Sequence, residues 1–328
     1  MSSQPRSVYV KVPASTANLG PGFDALGMAL NLYAWIEMSV AQDRTTIQLY
    51  GDQMDGVPTD KSNLIYEVAQ QVFRKAGVEH PELNISMYSD IPLTRGLGSS
   101  ASAIVGALVA ANALIGSPLS RDELFQMASD LEKHPDNVGA SLFGGLIAAF
   151  WDGERAEHLR IEPEDRLEVL VAIPEFHLAT EKARHVLPTT ISMKDAVFNV
   201  GHVSLLVAAL ATGRYDMIRH AMKDALHQPY RAPLIPGMSD ILDRAVEHGA
   251  LGVALSGAGP TLLALVDAAA TTPEGKAELE RFLRDTLARE GIAATTLWLK
   301  PCGEGTQVLT HFDPLCTLIE NIKGEVRA

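Results

Sequence analysis

Gly96-Leu97-Gly98-Ser99-Ser100-Ala101-Ser102 is the stretch on which the reading of this chain turns. Upstream of it, residues 84–91 space Ile85, Met87 and Ile91 as a strand does; downstream, an apolar run of small residues reads as a helix to Ile115, ended by Gly116 and Pro118. Strand, glycine turn, helix is an arrangement with a physical use. Glycine lets the backbone come close to a ligand and adopt conformations closed to residues with a Cβ. The first turn of the helix offers unpaired N–H groups and the positive end of the helix dipole, which suit phosphate oxygens. Ser99, Ser100 and Ser102 add hydroxyls able to bond a phosphate or ligate magnesium. Tight packing of a small-residue helix would explain the same glycines, so the loop by itself leaves both readings open.

The loop also fits Gly-X-Gly-X-X-Ala, a dinucleotide fingerprint. That fingerprint wants an acidic residue about 20 positions on, at the end of the next strand. Asp122 and Glu123 fall near that distance, but inside Ser120-Arg121-Asp122-Glu123, a capping box opening a helix to about Lys133. A Walker loop is excluded, because no Lys-Ser or Lys-Thr follows the glycines.

Two further loops keep this one company. Pro13-Ala14-Ser15-Thr16-Ala17-Asn18-Leu19-Gly20-Pro21-Gly22-Phe23-Asp24 follows the alternating strand Val8–Val12 and sets Asn18 and Asp24 among closely spaced glycines. Asn and Asp are common turn residues, so a solvated turn is the plain alternative. Ser256-Gly257-Ala258-Gly259-Pro260-Thr261 lies between strands expected over 250–255 and 261–266. Three such loops in one chain are hard to explain as packing alone.

Other strands are expected over 34–40, 46–50, 167–173 and 295–299. A helix is expected over 63–76, capped by Ser62 or Asn63 and stopped by Gly77; others are part of one over 203–211 and an amphipathic one over 274–290. Strands and helices mix without regular βαβ alternation, which predicts an α+β fold with mixed or antiparallel sheets and helices packed against them. The charged, turn-rich residues 152–165 are the expected boundary. Residues 1–160 would form an N-terminal nucleotide-binding domain with the phosphate loop 92–102, and residues 161–328 a C-terminal domain with the loop 256–261.

Length and composition agree with two aliphatic, alanine-rich domains: 328 residues, 47% hydrophobic and only 6% aromatic. Lys plus Arg is 27 and Asp plus Glu is 40, a net charge of −13. An acidic chain has no electrostatic footprint for nucleic acid or anionic lipid, so neither is an expected partner. A polyanion such as ATP would have to be held locally, by backbone donors, a metal ion and a few cations. Two cysteines, Cys302 and Cys316, give neither a disulfide framework nor a zinc site. Residues 1–12 hold no apolar signal region, and no apolar run approaches the ~20 residues of a membrane span, so a cytoplasmic location is expected.

Taken together, the three loops resemble the GHMP kinase superfamily and, within it, the homoserine kinases, over nearly the whole chain. The residues that carry the resemblance are Pro13 to Asp24, Pro92-Leu93-Thr94-Arg95-Gly96-Leu97-Gly98-Ser99-Ser100-Ala101 and Ser256 to Thr261, in family order, with Leu131-Glu132-Lys133-His134-Pro135-Asp136-Asn137-Val138 between them. The resemblance implies a two-domain enzyme that uses ATP and Mg2+ to phosphorylate the hydroxyl of L-homoserine, on the route to threonine. A sugar or isoprenoid alcohol is the alternative acceptor within the superfamily, and a homodimer is an assembly that such relatives often form.

By the same resemblance, residues 92–102 bind the nucleotide, and Glu132 ligates magnesium with Ser99 or Ser100. Asn18, Asp24, His134, Asn137, Arg184, Arg231 and Gly257 bind the acceptor, with Asn137 and Arg184 positioning the transition state. Homoserine carries an ammonium and a carboxylate; an Asp matches the first and a bidentate Arg the second. Mevalonate kinase places an Asp as base where this chain offers Asn137, so no catalytic base is assigned. After Asn137-Val138 the family often has Ala-Pro, whereas this chain has Gly139-Ala140. Without the resemblance, Glu132 reads as a solvated helix residue and each arginine as a surface charge. Two other classes stay open beside the kinase: a nucleotide-dependent oxidoreductase using the same glycine loop, and a non-catalytic paralogue, against which Glu132 and the loop serines speak.

Overall fold

The computed structural model describes residues 7–51, 54, 56–79, 81–310 and 316–325. The chain begins with β1 (Ser7–Asn18), β2 (Gly22–Val40) and β3 (Thr46–Tyr50), followed by α1 (Leu64–Ala76) and β4 (Leu83–Ser89). Then come α2 (Ser99–Leu114), α3 (Arg121–Glu132), α4 (Asp136–Phe143) and the hairpin β5 (Leu146–Trp151) and β6 (Ala156–Ile161). Within this first sheet β1, β2 and β4 pair antiparallel, β3 pairs parallel to β4, and β5 pairs antiparallel with residues 26–28 of β2. Val8, Val10 and Val12 point inward from β1 against α2 and β2, as their alternation requires. The helix ends follow the sequence signals: Asn63 accepts from Ile65 N–H and Gly77 closes α1 at φ 68°, while Ser120 and Glu123 form the reciprocal capping box of α3.

The second sheet is antiparallel throughout, in the order β10-β7-β9-β8. It is built from β7 (Leu167–Pro174), then, after α5 (Thr180–His185), α6 (Met193–Ala211), α7 (Ile218–Ala221), α8 (Gln228–Arg231) and α9 (Met238–Arg244), from β8 (Gly252–Leu255) and β9 (Leu262–Asp267). After α10 (Pro273–Arg289) follow β10 (Ala294–Leu299), β11 (Gln307–Leu309) and α11 (Leu318–Glu325). Val169, Val171 and Ile173 of β7 join the core of the first sheet, whereas Leu170 and Ala172 face a second core under α9 and α10. With both faces covered, β7 is apolar without a break from Val169 to Pro174 instead of alternating. The α+β expectation with mixed and antiparallel pairing is met.

Four features differ from what the sequence suggests. Pro13 to Asp24 is mostly strand, since β1 runs on to Asn18 and β2 begins at Gly22, leaving only Leu19-Gly20-Pro21 as a tight turn. Its alternation is hidden because almost every residue from Val12 to Leu19 is buried on both sides. The charged residues 152–165 hold a β5–β6 hairpin turn and β6 itself, so the first sheet continues to Ile161. β11 returns to pair with β1, Tyr9 opposite Leu309, and Leu318 and Ile322 of α11 cover Tyr9 and Trp35. The tail of the 161–328 segment thus belongs to the first sheet, through a three-residue strand too short to show a period. Finally, α6 is 19 residues long, long and apolar enough by length and composition alone to cross a membrane, and only 22% of its apolar stretch is buried.

Candidate active site

The ends of β1, of the 92–98 loop and of the 256–261 loop are tied to one another by buried polar groups. Thr16 Oγ1 and Ser256 Oγ are 2.8 Å apart, and Ser256 Oγ donates to the Gly96 carbonyl at 2.6 Å. Ser15 N–H donates to Leu97 O, Gly257 N–H to Ala17 O and Thr261 N–H to Arg95 O. Asn18 Nδ2 donates to Gly257 O at 2.9 Å, while its Oδ1 accepts from Asp24 N–H at 3.0 Å. Buried polar atoms need such partners, so the three loops form one unit. Gly96 has φ 82°, and a Cβ there would lie 2.3 Å from the Ser256 carbonyl; Gly98 has φ 71°, and a Cβ would lie 2.1 Å from Ser15 Oγ. Close seating of the loops therefore demands both glycines, as the packing reading held.

Packing does not account for the bare end of α2. Gly98 caps it with no side-chain hydrogen bond, so first-turn N–H groups have no capping acceptor. Thr94, Gly96, Gly98, Ser99, Ser100 and Ala101 line a cavity of about 140 Å3 there. Leu97 and Ser102 are buried behind them, Ser102 Oγ donating to Ser99 O, and Pro92, Leu93 and Arg95 lie off the cavity wall. Ser100 Oγ donates to Glu132 Oε1 at 2.6 Å, across the cavity mouth from α2 to the last residue of α3. Lys133, at φ 64°, then turns the chain so that His134 and Asp136 come back beside Glu132.

Asn18, Asp24, His134, Asn137, Arg184, Arg231 and Gly257 all line the same cavity. Arg184 donates through Nη1 to Asp24 Oδ2 at 3.0 Å and through Nη2 to Oδ1 at 2.8 Å. Arg231 is buried; its Nε donates to Ala183 O and its Nη1 to Gly257 O, both at 3.0 Å. Burial, then the neighbouring Arg184, lowers its pKa to about 10, which leaves it charged at neutral pH. Arg231 Nη1 also donates to His227 Nδ1 at 3.2 Å, and His227 Nε2 lies 2.8 Å from Gly20 O. An arginine can only donate, so His227 accepts at Nδ1 and carries its proton on Nε2. Burial lowers the His227 pKa, in keeping with this neutral form.

His134 behaves in the opposite way. Burial alone would lower its pKa, but Asp136, at 2.8 Å from Nδ1, together with Asp24 and Glu132 outweighs burial and raises it to about 9. The cavity therefore holds three carboxylates, Asp24, Glu132 and Asp136, against three cations, Arg184, Arg231 and protonated His134. Asn137 sits between, its Oδ1 accepting from Ser15 Oγ at 3.0 Å.

Two residues here escape sequence reasoning. Asp136 lies in the quoted 131–138 segment but reads as an N-terminal helix residue; only the fold buries it against His134. His227 carries no local signal, because its partners Gly20 and Phe23 lie about two hundred residues away. A larger cavity, about 1100 Å3, lies between α2, β11 and α11, lined among others by Val109, Arg121 and Glu320. No residue of the three loops reaches it, so chemistry and not size locates the site.

Comparison with known proteins agrees with this geometry. Residues 63–145 match the GHMP kinases N terminal domain and residues 206–288 the GHMP kinases C terminal domain. The chain is 42% identical over 305 residues to the homoserine kinase of Carboxydothermus hydrogenoformans, covering 93% of this chain and 98% of that one. It is 45% identical over 300 residues to that of Moorella thermoacetica, covering 92% and 99%. Among solved structures, a homoserine kinase from Cytophaga hutchinsonii superposes with a TM-score of 0.83 at 27% identity, over 94% of this chain and 99% of that chain. A mevalonate kinase structure, at 17% identity and TM-score 0.63, shares the fold. The chain belongs to the GHMP kinases and, within them, to the homoserine kinase family.

Proposed function

We propose that this enzyme transfers the γ-phosphoryl group of ATP to the side-chain hydroxyl of L-homoserine, as the name shared by its relatives implies. The observation that carries the proposal is the cavity in which the bare N-terminus of α2 faces Asp24, Arg184 and Arg231. The first-turn N–H groups and the positive end of the α2 dipole suit phosphate oxygens. Arg184 and Arg231 match an α-carboxylate, and Asp24 an α-ammonium. A neutral sugar offers neither charge and an isoprenoid-type alcohol no ammonium, so this cavity favours an amino acid.

Glu132 and the Ser100 hydroxyl are hard oxygen donors only 2.6 Å apart, which fits magnesium, an ion content with one or two protein oxygens beside phosphates and water. We assign Ser100, rather than Ser99, as the serine beside the ion. When bound, magnesium would neutralise charge on the phosphates. The protein's own contribution is positional: Asn137, fixed by Ser15, and Arg184 orient the acceptor. His134 is held as a cation between Asp136 and Glu132 and lines the acceptor side; it is not a base. With a loose transition state, phosphoryl transfer needs no dedicated base. We further propose a magnesium requirement, a cytoplasmic location and a homodimer as the working form.

A coupled ADP-release assay with homoserine, and with alcohols lacking one charged group, tests the proposal. Turnover of homoserine alone is expected. Turnover of another alcohol without turnover of homoserine would overturn it.

A further inference from the structure

His227 is buried completely, yet the proposed transfer gives it no part. A buried imidazole must still satisfy two ring nitrogens. Its backbone is held by Asp224, whose carboxylate accepts from the N–H groups of Leu226, His227 and Gln228 at 3.0, 2.9 and 2.7 Å. Asn199 of α6 fastens the same loop, accepting from Ala225 N–H and donating to Pro21 O, both at 2.8 Å. The ring therefore stands at a fixed place. On one side Gly20 O takes its Nε2 proton; on the other Arg231, one helical turn on, donates to Nδ1. Its face stacks on Phe23 with ring centroids 5.1 Å apart, and the guanidinium carbons of Arg231 and Arg184 lie 5.3 and 5.7 Å from the same phenyl ring.

A guanidinium has five N–H hydrogens. In Arg231, Nε gives one to Ala183 O, and Nη1 gives one to Gly257 O and one to His227 Nδ1. Nη2 meets no acceptor among the described residues, although the side chain is only 1% exposed and lines the acceptor cavity. Arg184 differs: it is 37% exposed, and Asp24 is its one hydrogen-bonding partner among the described residues. We infer that His227 is a positioning residue for acceptor binding: by occupying Nη1 it turns the free Nη2 edge of Arg231 toward the cavity, as the fixed half of a carboxylate clamp whose movable half is Arg184. The inference rests on the reading of Arg231 as a carboxylate ligand and adds the group that aims it. A neutral imidazole suits this task. It accepts at Nδ1 without placing on the guanidinium a carboxylate that would compete with the acceptor's own.

Steady-state kinetics of His227→Gln and His227→Asn test the inference, because each amide keeps one of the two ring contacts. The Asn oxygen falls near the place of Nδ1 and can still accept from Arg231; the Gln amide reaches the place of Nε2 and can still donate to Gly20 O. We expect His227→Gln to raise the homoserine KM about tenfold, with kcat and the ATP KM within about twofold, the pattern of lost ground-state binding. His227→Asn should return the homoserine KM to within about threefold of the parent value, even where urea unfolding shows it no more stable than His227→Gln. A thermal-shift titration with homoserine alone should give the same ranking without turnover. If His227→Gln does not fold, His227→Ala, which also lacks the acceptor, takes its place. A homoserine KM unchanged in His227→Gln, or raised equally in both variants, would overturn the inference, since lost packing has no preference for the Nδ1 side. Arg231→Lys separates this outcome from the reading beneath it. An unchanged homoserine KM there would overturn Arg231 as the carboxylate ligand; a raised one, beside a normal KM in His227→Gln, would overturn the role of His227 alone.

Discussion

Arg184 grips both carboxylate oxygens of Asp24, at 3.0 and 2.8 Å, although 160 residues separate them. Each side chain is about a third exposed, at 37% and 34%, so the pair is a partly solvated one. Such pairs contribute roughly 0–1 kcal/mol. The two groups proposed to receive the carboxylate and the ammonium of the acceptor thus neutralise each other in the unliganded chain, and a zwitterion can separate them at little cost by satisfying both.

Arg184→Ala and Asp24→Asn should therefore each raise the acceptor KM strongly, by roughly 10- to 100-fold, since each removes a charge-assisted contact worth about 1.5–3 kcal/mol. The ATP KM should change little. Steady-state kinetics with each substrate varied in turn checks this, and an unchanged acceptor KM in Arg184→Ala would show that the arginine does not meet the carboxylate. Homoserine lacking its amino group should also be a poor acceptor, because it leaves Asp24 bound to Arg184.

Glu132→Gln removes a charge and should lower kcat by about 100-fold or more, in the range seen when a preorganised electrostatic group is lost. Its magnesium requirement should move to higher concentration. Ser100→Ala, which removes only the hydroxyl that meets Glu132 Oε1, should show the same displacement on a smaller scale. Magnesium titrations of activity at saturating ATP distinguish this from a folding defect.

His134 predicts a pH dependence of stability in the metal-free protein. Its folded pKa, about 9, lies above the ordinary 6.5, so the native state holds the proton more tightly between those values. The resulting stabilisation, on the order of 3 kcal/mol, is complete below about pH 6.5 and is lost as the pH rises through about 9. The stability difference between the parent chain and His134→Asn, from urea unfolding at intervals across that window, should shrink as the pH rises. A difference that is flat or grows would contradict the imidazolium assignment.

Gly96→Ala should destabilise the chain by about 2 kcal/mol or more, since its Cβ would meet the Ser256 carbonyl at 2.3 Å in a left-handed backbone. Gly77→Ala, at φ 68° with nothing within 4 Å of the added Cβ, isolates backbone strain alone and should cost only about 1 kcal/mol. Thermal melts of the two variants should rank in that order. Equal losses would mean that the loops yield to the extra methyl group.

The elements legible in the sequence are those whose signals are local. Asn63 and Gly77 bound α1, Ser120 and Glu123 cap α3, and the glycines at 96 and 98 mark a tight turn, because caps and turns are backbone conformations set by a few adjacent side chains. The three loops were also legible as a set, and every acceptor residue that the family resemblance implies lines one cavity. The extent of β2 was not, because its run from Leu26 to Leu30 is buried at every position and so shows no alternation to read. Nor was the return of β11 to β1, which depends on backbone pairing with a strand three hundred residues away.

What the sequence by itself determined is thus the kind of parts: an α+β chain with a glycine turn opening a helix, and two companion glycine loops, one of them holding Asn18 and Asp24. Only the tertiary structure decided which of them meet: Ser100 with Glu132, Asp24 with Arg184, His227 with Arg231 and Gly20. The physical reason is range. Backbone conformation is fixed by neighbours in sequence, whereas ion pairs, buried hydrogen bonds and the pKa of His134 depend on groups within a few ångströms in space, and those are set only when both sheets close over the site.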